Sequence, residues 1–371
     1  MKNKLRILLA AVLIAVLPGC SEAVDLENLT LGLVAGADLD KNNQLLIYFS
    51  SPLFNGTSKN STLNIESDKK TFRTARADFD SIATGLAVGG KTQVFLIGKR
   101  LLQHGDWFPL LDVNFRDAKN TLSTRMVAVD GEVSELLQNI PKDTPTSLFL
   151  DNLIDSNEIR NETVKTNMQQ LDKQMFEKGI TPYISLISLE NGRIKLAGTA
   201  LLDKKGKLVM TMDQKETMLL RLLQRSSKGQ KGFSVSIPGE EKSDIYDSNS
   251  LSLSINKVKN KMKTGYRDGK FEFDIKLNMS VSLKERLFPY DMRKNSEKLE
   301  QQIQEQIKKQ FEELIKKCQK KQIDPFGLGQ YARAFQYKNW KQVEDHWVEA
   351  FSEADVHLSV KTNIKYMGPV K

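Results

Sequence analysis

Apolar and polar residues alternate without a break from Phe271 to Leu283. Phe271, Phe273, Ile275, Leu277, Met279, Val281 and Leu283 hold one parity, and Glu272, Asp274, Lys276, Asn278, Ser280 and Ser282 hold the other. A period of two puts the two sets on opposite faces of a strand, so this segment predicts a long strand with one buried and one wet face. Val356, Leu358, Val360, Thr362, Ile364 and Tyr366 repeat the pattern, with His357, Ser359, Lys361, Asn363 and Lys365 opposite. Between the two the period changes. Leu299, Ile303, Ile307, Phe311, Leu314, Ile315 and Cys318 return every three or four residues within Ser296 to Lys320, which predicts an amphipathic helix. Half-wet strands and such a helix suit an antiparallel sheet covered on one face. Asp324-Pro325-Phe326-Gly327 ends the helix. Gln330 to Phe335 and Trp340 to Phe351 then read as shorter helices, with Trp340, Val343, Trp347 and Phe351 on one core stripe.

Upstream the pattern is more broken. Gln44 to Ser50, Thr92 to Gly98 and Thr124 to Asp130 have strand composition, while the polar, aperiodic stretch Asn55 to Lys70 reads as a long loop. Thr74 to Leu86 reads as a helix, and Val133 to Gln138 as a short one bracketed by Pro141 and Pro145. Residues 141–183 are helix-compatible, with Met168, Leu171, Met175 and Phe176 as an apolar stripe that Gly179 and Pro182 close. Strands follow at Ile194 to Leu202, Lys207 to Met210, Gly232 to Ile237 and Leu251 to Asn256, with a helix at Gln214 to Leu223. The expected fold is α+β and multidomain, with mixed and antiparallel sheets flanked by helices and the long amphipathic helix packed on a C-terminal antiparallel sheet. The expected division sets residues 20–190 as an N-terminal mixed α/β region of one or two subdomains. Residues 191–371 form the C-terminal α+β domain.

The first nineteen residues stand outside that pattern. Lys2, Lys4 and Arg6 precede the apolar run Ile7 to Leu17, which ends at Pro18-Gly19-Cys20. This is the layout of a lipoprotein signal peptide at 1–19, with Cys20 as the lipidated residue. Acyl chains on Cys20 would anchor the chain stably in a membrane, because two or more buried chains suffice for that. The apolar run is too short to span a bilayer, and no later stretch approaches the roughly 18 apolar residues required. Without the three leader cations the net charge falls from +9 to +6, so a third of the basicity belongs to targeting. The remaining charges are scattered along the sequence. Cys20 and Cys318 are the only cysteines, so no disulfide framework exists.

Candidate chemistry is sparse. Gly85 to Thr92 matches the phosphate-binding loop pattern letter by letter, yet such a loop must follow a strand and open a helix. Here a predicted helix precedes it and a predicted strand follows, so it reads as a turn. His104, His346 and His357 lack metal-ligand spacing. Cys318 lies on the apolar stripe of the long helix, where a buried inert thiol is expected. Asp38 with Asp40, and Glu240 with Glu241, cannot be told from solvated acids. Lys308-Lys309 and Lys316-Lys317 alternate with Glu305, Glu312 and Glu313, which describes a solvated helix face rather than a nucleic-acid site. The residues therefore predict no enzyme, no cofactor, no metal and no nucleic-acid partner.

Several blocks, in order, resemble the lipoprotein C subunits of spore germinant receptors. They are Cys20, then Gly32, Gly36, Asp38 and Asp40, the turn before Val94 to Gly98, and Phe115-Arg116-Asp117. Gly192 to Leu202, Gly206-Lys207-Leu208-Val209, Glu216-Thr217, Asp324 to Gly327, Trp340, Trp347 and the last alternating strand complete the likeness. The chain departs at Ser21-Glu22, where the family commonly has Trp-Asp, and at Gly90-Lys91, where Gly-His is frequent. The resemblance implies a noncatalytic subunit, lipid-anchored through Cys20 at the outer face of the spore inner membrane. It also implies two multi-pass membrane subunits as partners and a role in assembling the receptor for nutrient-triggered germination. The alternatives are a solute-binding lipoprotein, which needs a deep interdomain pocket with convergent polar groups, and a general envelope scaffold.

Overall fold

The computed structural model describes residues 28–53, 62–83, 85–226, 231–237, 245–290 and 292–366, with 3, 4, 25, 229 and 243 as isolated positions. The N-terminal part runs β1 (Leu29–Leu31), β2 (Val34–Leu39), β3 (Leu45–Pro52), β4 (Thr62–Ser67), α1 (Phe72–Ile82), β5 (Leu86–Val88) and β6 (Val94–Ile97). It continues through α2 (Lys99–His104), α3 (Asp112–Arg116), β7 (Arg125–Asp130), α4 (Val133–Gln138), α5 (Thr146–Ile159), α6 (Met168–Phe176) and β8 (Tyr183–Glu190). The hairpin of β9 (Arg193–Leu202) and β10 (Leu208–Met212) then pairs back onto β8.

Among the described residues, eight strands form one sheet in the order β10-β9-β8-β7-β6-β2-β3-β4. Its centre, β8-β7-β6-β2, is parallel, and both flanks are antiparallel. Parallel strands are buried on both faces, and the core divides accordingly. Phe95, Ile97, Met126 and Ala128 pack under Leu101, Leu102, Trp107 and the α6 residues Met168 and Leu171. The alternate residues Val94, Leu96, Val127 and Val129 pack under Val133 and Leu136 of α4 and Leu150 and Ile154 of α5. The sheet runs without interruption through β8 and β9, so the segments on either side of residues 190–191 share one set of ladders.

Three local expectations change. The polar stretch expected as loop contains β4, an edge strand that buries only Ile65 and Ser67 and leaves the rest of its polar residues outward. The first helix starts at Phe72, because the Thr71 side chain accepts from the Thr74 amide, and ends at Ile82; Leu86 joins β5 instead. Phe176 is 75% exposed, while Met168, Leu171 and Met175 are buried.

The C-terminal part comprises α7 (Gln214–Leu223), β11 (Gly232–Ser236), β12 (Ser250–Arg267), β13 (Lys270–Arg286), α8 (Met292–Lys320), α9 (Leu328–Phe335), α10 (Tyr337–Val343), α11 (Trp347–Ser352) and β14 (Asp355–Tyr366). Its sheet has the order β11-β12-β13-β14. The first three strands are antiparallel, but β14 joins parallel to β13, because the crossover through α8 to α11 carries the chain back to the end where β13 began. Leu299, Ile303, Ile307, Phe311, Leu314, Ile315 and Cys318 all lie on the buried stripe of α8, against Phe273, Ile275, Leu277 and Val281 of β13. Each of these leucine, isoleucine and phenylalanine side chains, fully buried, stabilises by roughly 1.5–3 kcal/mol. The expected helix Trp340 to Phe351 is two helices joined by a 3-10 turn at Glu344–His346, with Trp340, Trp347 and Phe351 still buried.

Strand β12 is longer than its apolar pattern. Leu251, Leu253 and Ile255 point inward, then a bulge sets Asn256 and Lys257 against Ser280. The extra residue inverts the phase. Val258, Met262 and Tyr266 now face Met279, Ile275 and Phe271, and the lysines between them face out.

Candidate functional site at the joint between the sheets

Cys20, Glu240 and Glu241 lie outside the described residues. The other residues considered from sequence are dispersed. His104 ends α2, His346 lies in the 3-10 turn, and His357 is exposed on β14. Cys318 is fully buried, and burial pushes its thiol far above the ordinary range, so it is inert. Gly85 to Thr92 spans β5 and the turn into β6, where the Thr92 hydroxyl donates to the carbonyls of Gly32 and Gly89, 2.9 and 2.7 Å away. No helix opens after it, so the loop lacks the amide cradle that phosphate requires.

Asp38 is not a solvated acid. It sits at the carboxyl end of β2, where open α/β sheets usually hold ligands. Here the crevice is filled from within. Asp38 is 1% exposed, and its carboxylate accepts from the amides of Leu39 at 2.8 Å and Val133 at 3.2 Å. Burial raises its pKa against those amides and the nearby Arg100. A Cβ at Gly98 would lie 1.9 Å from the Asp38 Cγ, so the glycine leaves room for the carboxylate. Asp40 instead sits half-buried in the β2–β3 turn, accepting from the amides of Asn42 and Gln44.

The second concentration of buried polar groups joins the two sheets. Residues 177–182 run against residues 323–329. The Thr181 amide donates to the Asp324 carbonyl, and the Asp324 amide donates to the Thr181 hydroxyl, both at 2.8 Å. Gly179 and Gly329 touch backbone to backbone, so a Cβ on either would be blocked. Asp324 is fully buried; its Oδ2 accepts from the Gly329 amide at 2.8 Å and the Trp347 indole at 2.9 Å. Burial lifts this carboxyl to about 6. The Lys204 ammonium donates to the carbonyls of Gln174, Glu177 and Ile180 at 2.6–2.8 Å, closing the end of α6. Ion pairs ring the joint: Arg333 to Glu177 at 2.9 Å, and Lys178 to Glu344 and Asp345 at 2.8 and 2.7 Å.

Beside the joint lies a charged groove. A cavity of ≈ 460 Å³ between α6, β8, α7 and α9 abuts a second of ≈ 640 Å³ at the amino ends of β6 and β7, and they share Lys165 and Gln170. Three of its cations are paired within the chain. Arg125 reaches Asp151 at 2.8 Å and Asp155 at 3.0 Å, Lys165 reaches Asp155 at 2.9 Å, and Arg221 reaches Glu158 at 2.6 Å. Burial would raise Asp155, but the bonds from Lys165 and Arg125 hold it below the usual carboxylate range. Arg221 is buried on α7, whose start is fixed by the reciprocal Asp213–Glu216 capping box. Nothing in the sequence singles out Arg125 or Arg221, and Asp324 stands there only as a helix end and part of the family likeness. The one available signal was the position of Asp324-Pro325-Phe326-Gly327 between two amphipathic helical patterns.

Two family descriptions match, in order and almost end to end: "Spore germination protein N-terminal domain" over residues 22–189 and "Spore germination B3/GerAC like, C-terminal" over residues 197–368. The chain belongs to the GerAC-like family of spore germination proteins. It is 22% identical to the spore germination protein GerQC of Bacillus cereus over 364 residues, covering 98% of this chain and 99% of that one. It is 25% identical to the spore germination protein YndF of Bacillus subtilis (strain 168) over 269 residues, covering 71% and 64%. In fold it is similar to the crystal structure of the GerBC protein, with a TM-score of 0.61 at 18% identity over 89% of this chain and 97% of that one. The first family segment ends in β8 and the second begins in β9, the two paired strands of one continuous sheet. The GerAC-like chain therefore has its second segment woven into the first.

Proposed function

We propose that this GerAC-like chain is the noncatalytic C subunit of a spore germinant receptor. It is anchored by acyl chains on Cys20 at the outer face of the spore inner membrane, and it supports assembly with two multi-pass subunits during nutrient-triggered germination. The observation that carries the reading is the nearly full-length likeness to GerQC, through both family segments in order. The interior of the molecule supports the noncatalytic part. The carboxyl end of the parallel strands is filled by Asp38, and the buried cations at the joint are neutralised by the chain's own acids. These are the features of a scaffold held rigid from inside.

The joint groove gives the solute-binding reading its one specific observation, since a combined cavity of this size accommodates a small ligand. A charged solute there would have to displace the Arg125 and Arg221 pairs, so the scaffold reading is preferred. The anchoring step is tested by Cys20→Ala in sporulating cells. The variant protein should leave the spore membrane fraction and enter the soluble fraction, with a matching loss of response to one nutrient. Retention in the membrane fraction would contradict lipid anchoring.

A further inference from the structure

One face of the β11–β14 sheet packs on α8, and the other is built from lysines. After the bulge at Asn256, Lys257, Lys259, Lys261 and Lys263 of β12 all turn outward. The register sets Lys261 directly opposite Lys276 of β13, and Lys361 of β14 opposite Asn278. Residues far apart in sequence thus form one cationic surface across three neighbouring strands. All six lysines are exposed, and among the described residues none lies within ion-pair distance of a carboxylate. Four acids among the described residues share this face: Asp274 stands directly opposite Lys263, Glu285 stands opposite Ser252 at the far end, and Glu272 and Asp355 lie toward the β12–β13 turn, where Glu272 is 3.7 Å from Arg267.

Like charges directly opposite on a ladder destabilise a sheet. The Lys261–Lys276 pairing is therefore a cost in the free protein that an anionic partner relieves. The composition of the face narrows the partner. Protein interfaces enrich aromatic residues and arginine at their centre and are depleted in lysine, whereas the middle of this face is lysine, serine, asparagine and histidine, with no outward aromatic residue among those described and with Arg267 and the acids Glu272, Asp274, Asp355 and Glu285 toward its ends. Single-stranded nucleic acid is held by aromatic stacking, and duplex recognition needs an element that enters a groove. A broad, open surface of lysine point charges fits instead the diffuse negative charge of a bilayer. We propose that this sheet face docks on an anionic phospholipid surface, giving the protein a membrane contact separate from any acyl chain.

The test uses the full chain carrying Cys20→Ala, so that no lipid modification contributes. Binding is measured by co-sedimentation with vesicles of mixed phosphatidylglycerol and phosphatidylcholine, and with vesicles of phosphatidylcholine alone. The parent should bind the mixed vesicles, release with added salt and ignore the neutral ones. The triple variant Lys259→Gln, Lys261→Gln, Lys276→Gln should bind about a hundredfold more weakly, at roughly fivefold for each lysine near an anionic leaflet. Its melting temperature should equal or exceed the parent's, because a like-charge pair is removed. A control, Lys308→Gln, Lys309→Gln, Lys316→Gln, loses the same charge from the wet face of α8 and should bind as the parent does. The proposal is overturned by unchanged binding of the first triple, by equal weakening in the control, or by failure of the parent to bind anionic vesicles. Tighter binding to a homopolymer RNA than to those vesicles would also overturn it. Receptor assembly does not enter this measurement, so its outcome is independent of the subunit reading.

Discussion

Asp324 and Asp38 are the two residues whose burial changes their chemistry most. Burial pushes the Asp324 carboxyl up to about 6 from an ordinary 3.8, so the folded state holds its proton more tightly than the unfolded chain. The stability it contributes is present below pH 3.8 and is lost as the pH rises through 6. That difference of about two units corresponds to roughly 3 kcal/mol. Asp324→Asn keeps an oxygen for Gly329 and Trp347 but does not ionise. Denaturant melts at pH 4 and pH 7 should show the variant gaining on the parent by about that amount at the higher pH; a constant difference would remove ionised Asp324 as the cause. At the other end of the molecule, Gly98→Ala drives a methyl into the Asp38 carboxylate. It should cost between about 1 and 3 kcal/mol in chemical denaturation, and much less on a background of Asp38→Ala, because the two positions share one space. The burial of neither acid was legible in the sequence. Asp38 looked like Asp40 two residues on, and only the meeting of β2, Gly98 and the start of α4 separates a buried acid from a solvated one.

Elements were legible where a single face is buried and obscure where both are, or where the period breaks. The stripe of α8 and the alternation of β13 appear in the sequence as they do in the fold, because one side of each meets water. Strand β8 has no alternation to read, since Ile184 to Ile187 are buried in both directions. Strand β12 was cut short at Asn256 because its bulge inverts the phase, and the lysines that followed looked scattered. That account predicts unequal deletions. Removing Asn256 restores a regular ladder with the lysines still outward and should leave a cooperative thermal transition. Removing Asn260 turns Lys261 and Lys263 inward and deletes the side chain that donates to the last carbonyls of α7, Leu222 and Leu223. That protein should melt without cooperativity; equal behaviour of the two deletions would contradict the register.

At the scale of the whole molecule, two family segments are locked into one body. The β8–β9 hairpin joins them within a sheet, and the Thr181–Asp324 pair with the Gly179–Gly329 contact holds the second sheet against the first. The α+β character and the long helix over the C-terminal sheet followed from periodicity alone. The parallel placement of β14 did not, because pairing direction depends on where a crossover ends rather than on which face a residue occupies. A body of this kind, with Arg125 and Arg221 paired to its own acids and Asp38 and Asp324 held by backbone amides and an indole, suits a part that holds others in place.

The central claim, membership of a receptor complex, is tested most directly by affinity purification of the full-length protein from detergent-solubilised spore membranes. The account predicts that two multi-pass membrane proteins co-purify with it and that deletion of its gene abolishes the germination response to at least one nutrient. Purification of the chain alone, together with a normal response of the deletion strain to every nutrient tried, would contradict it.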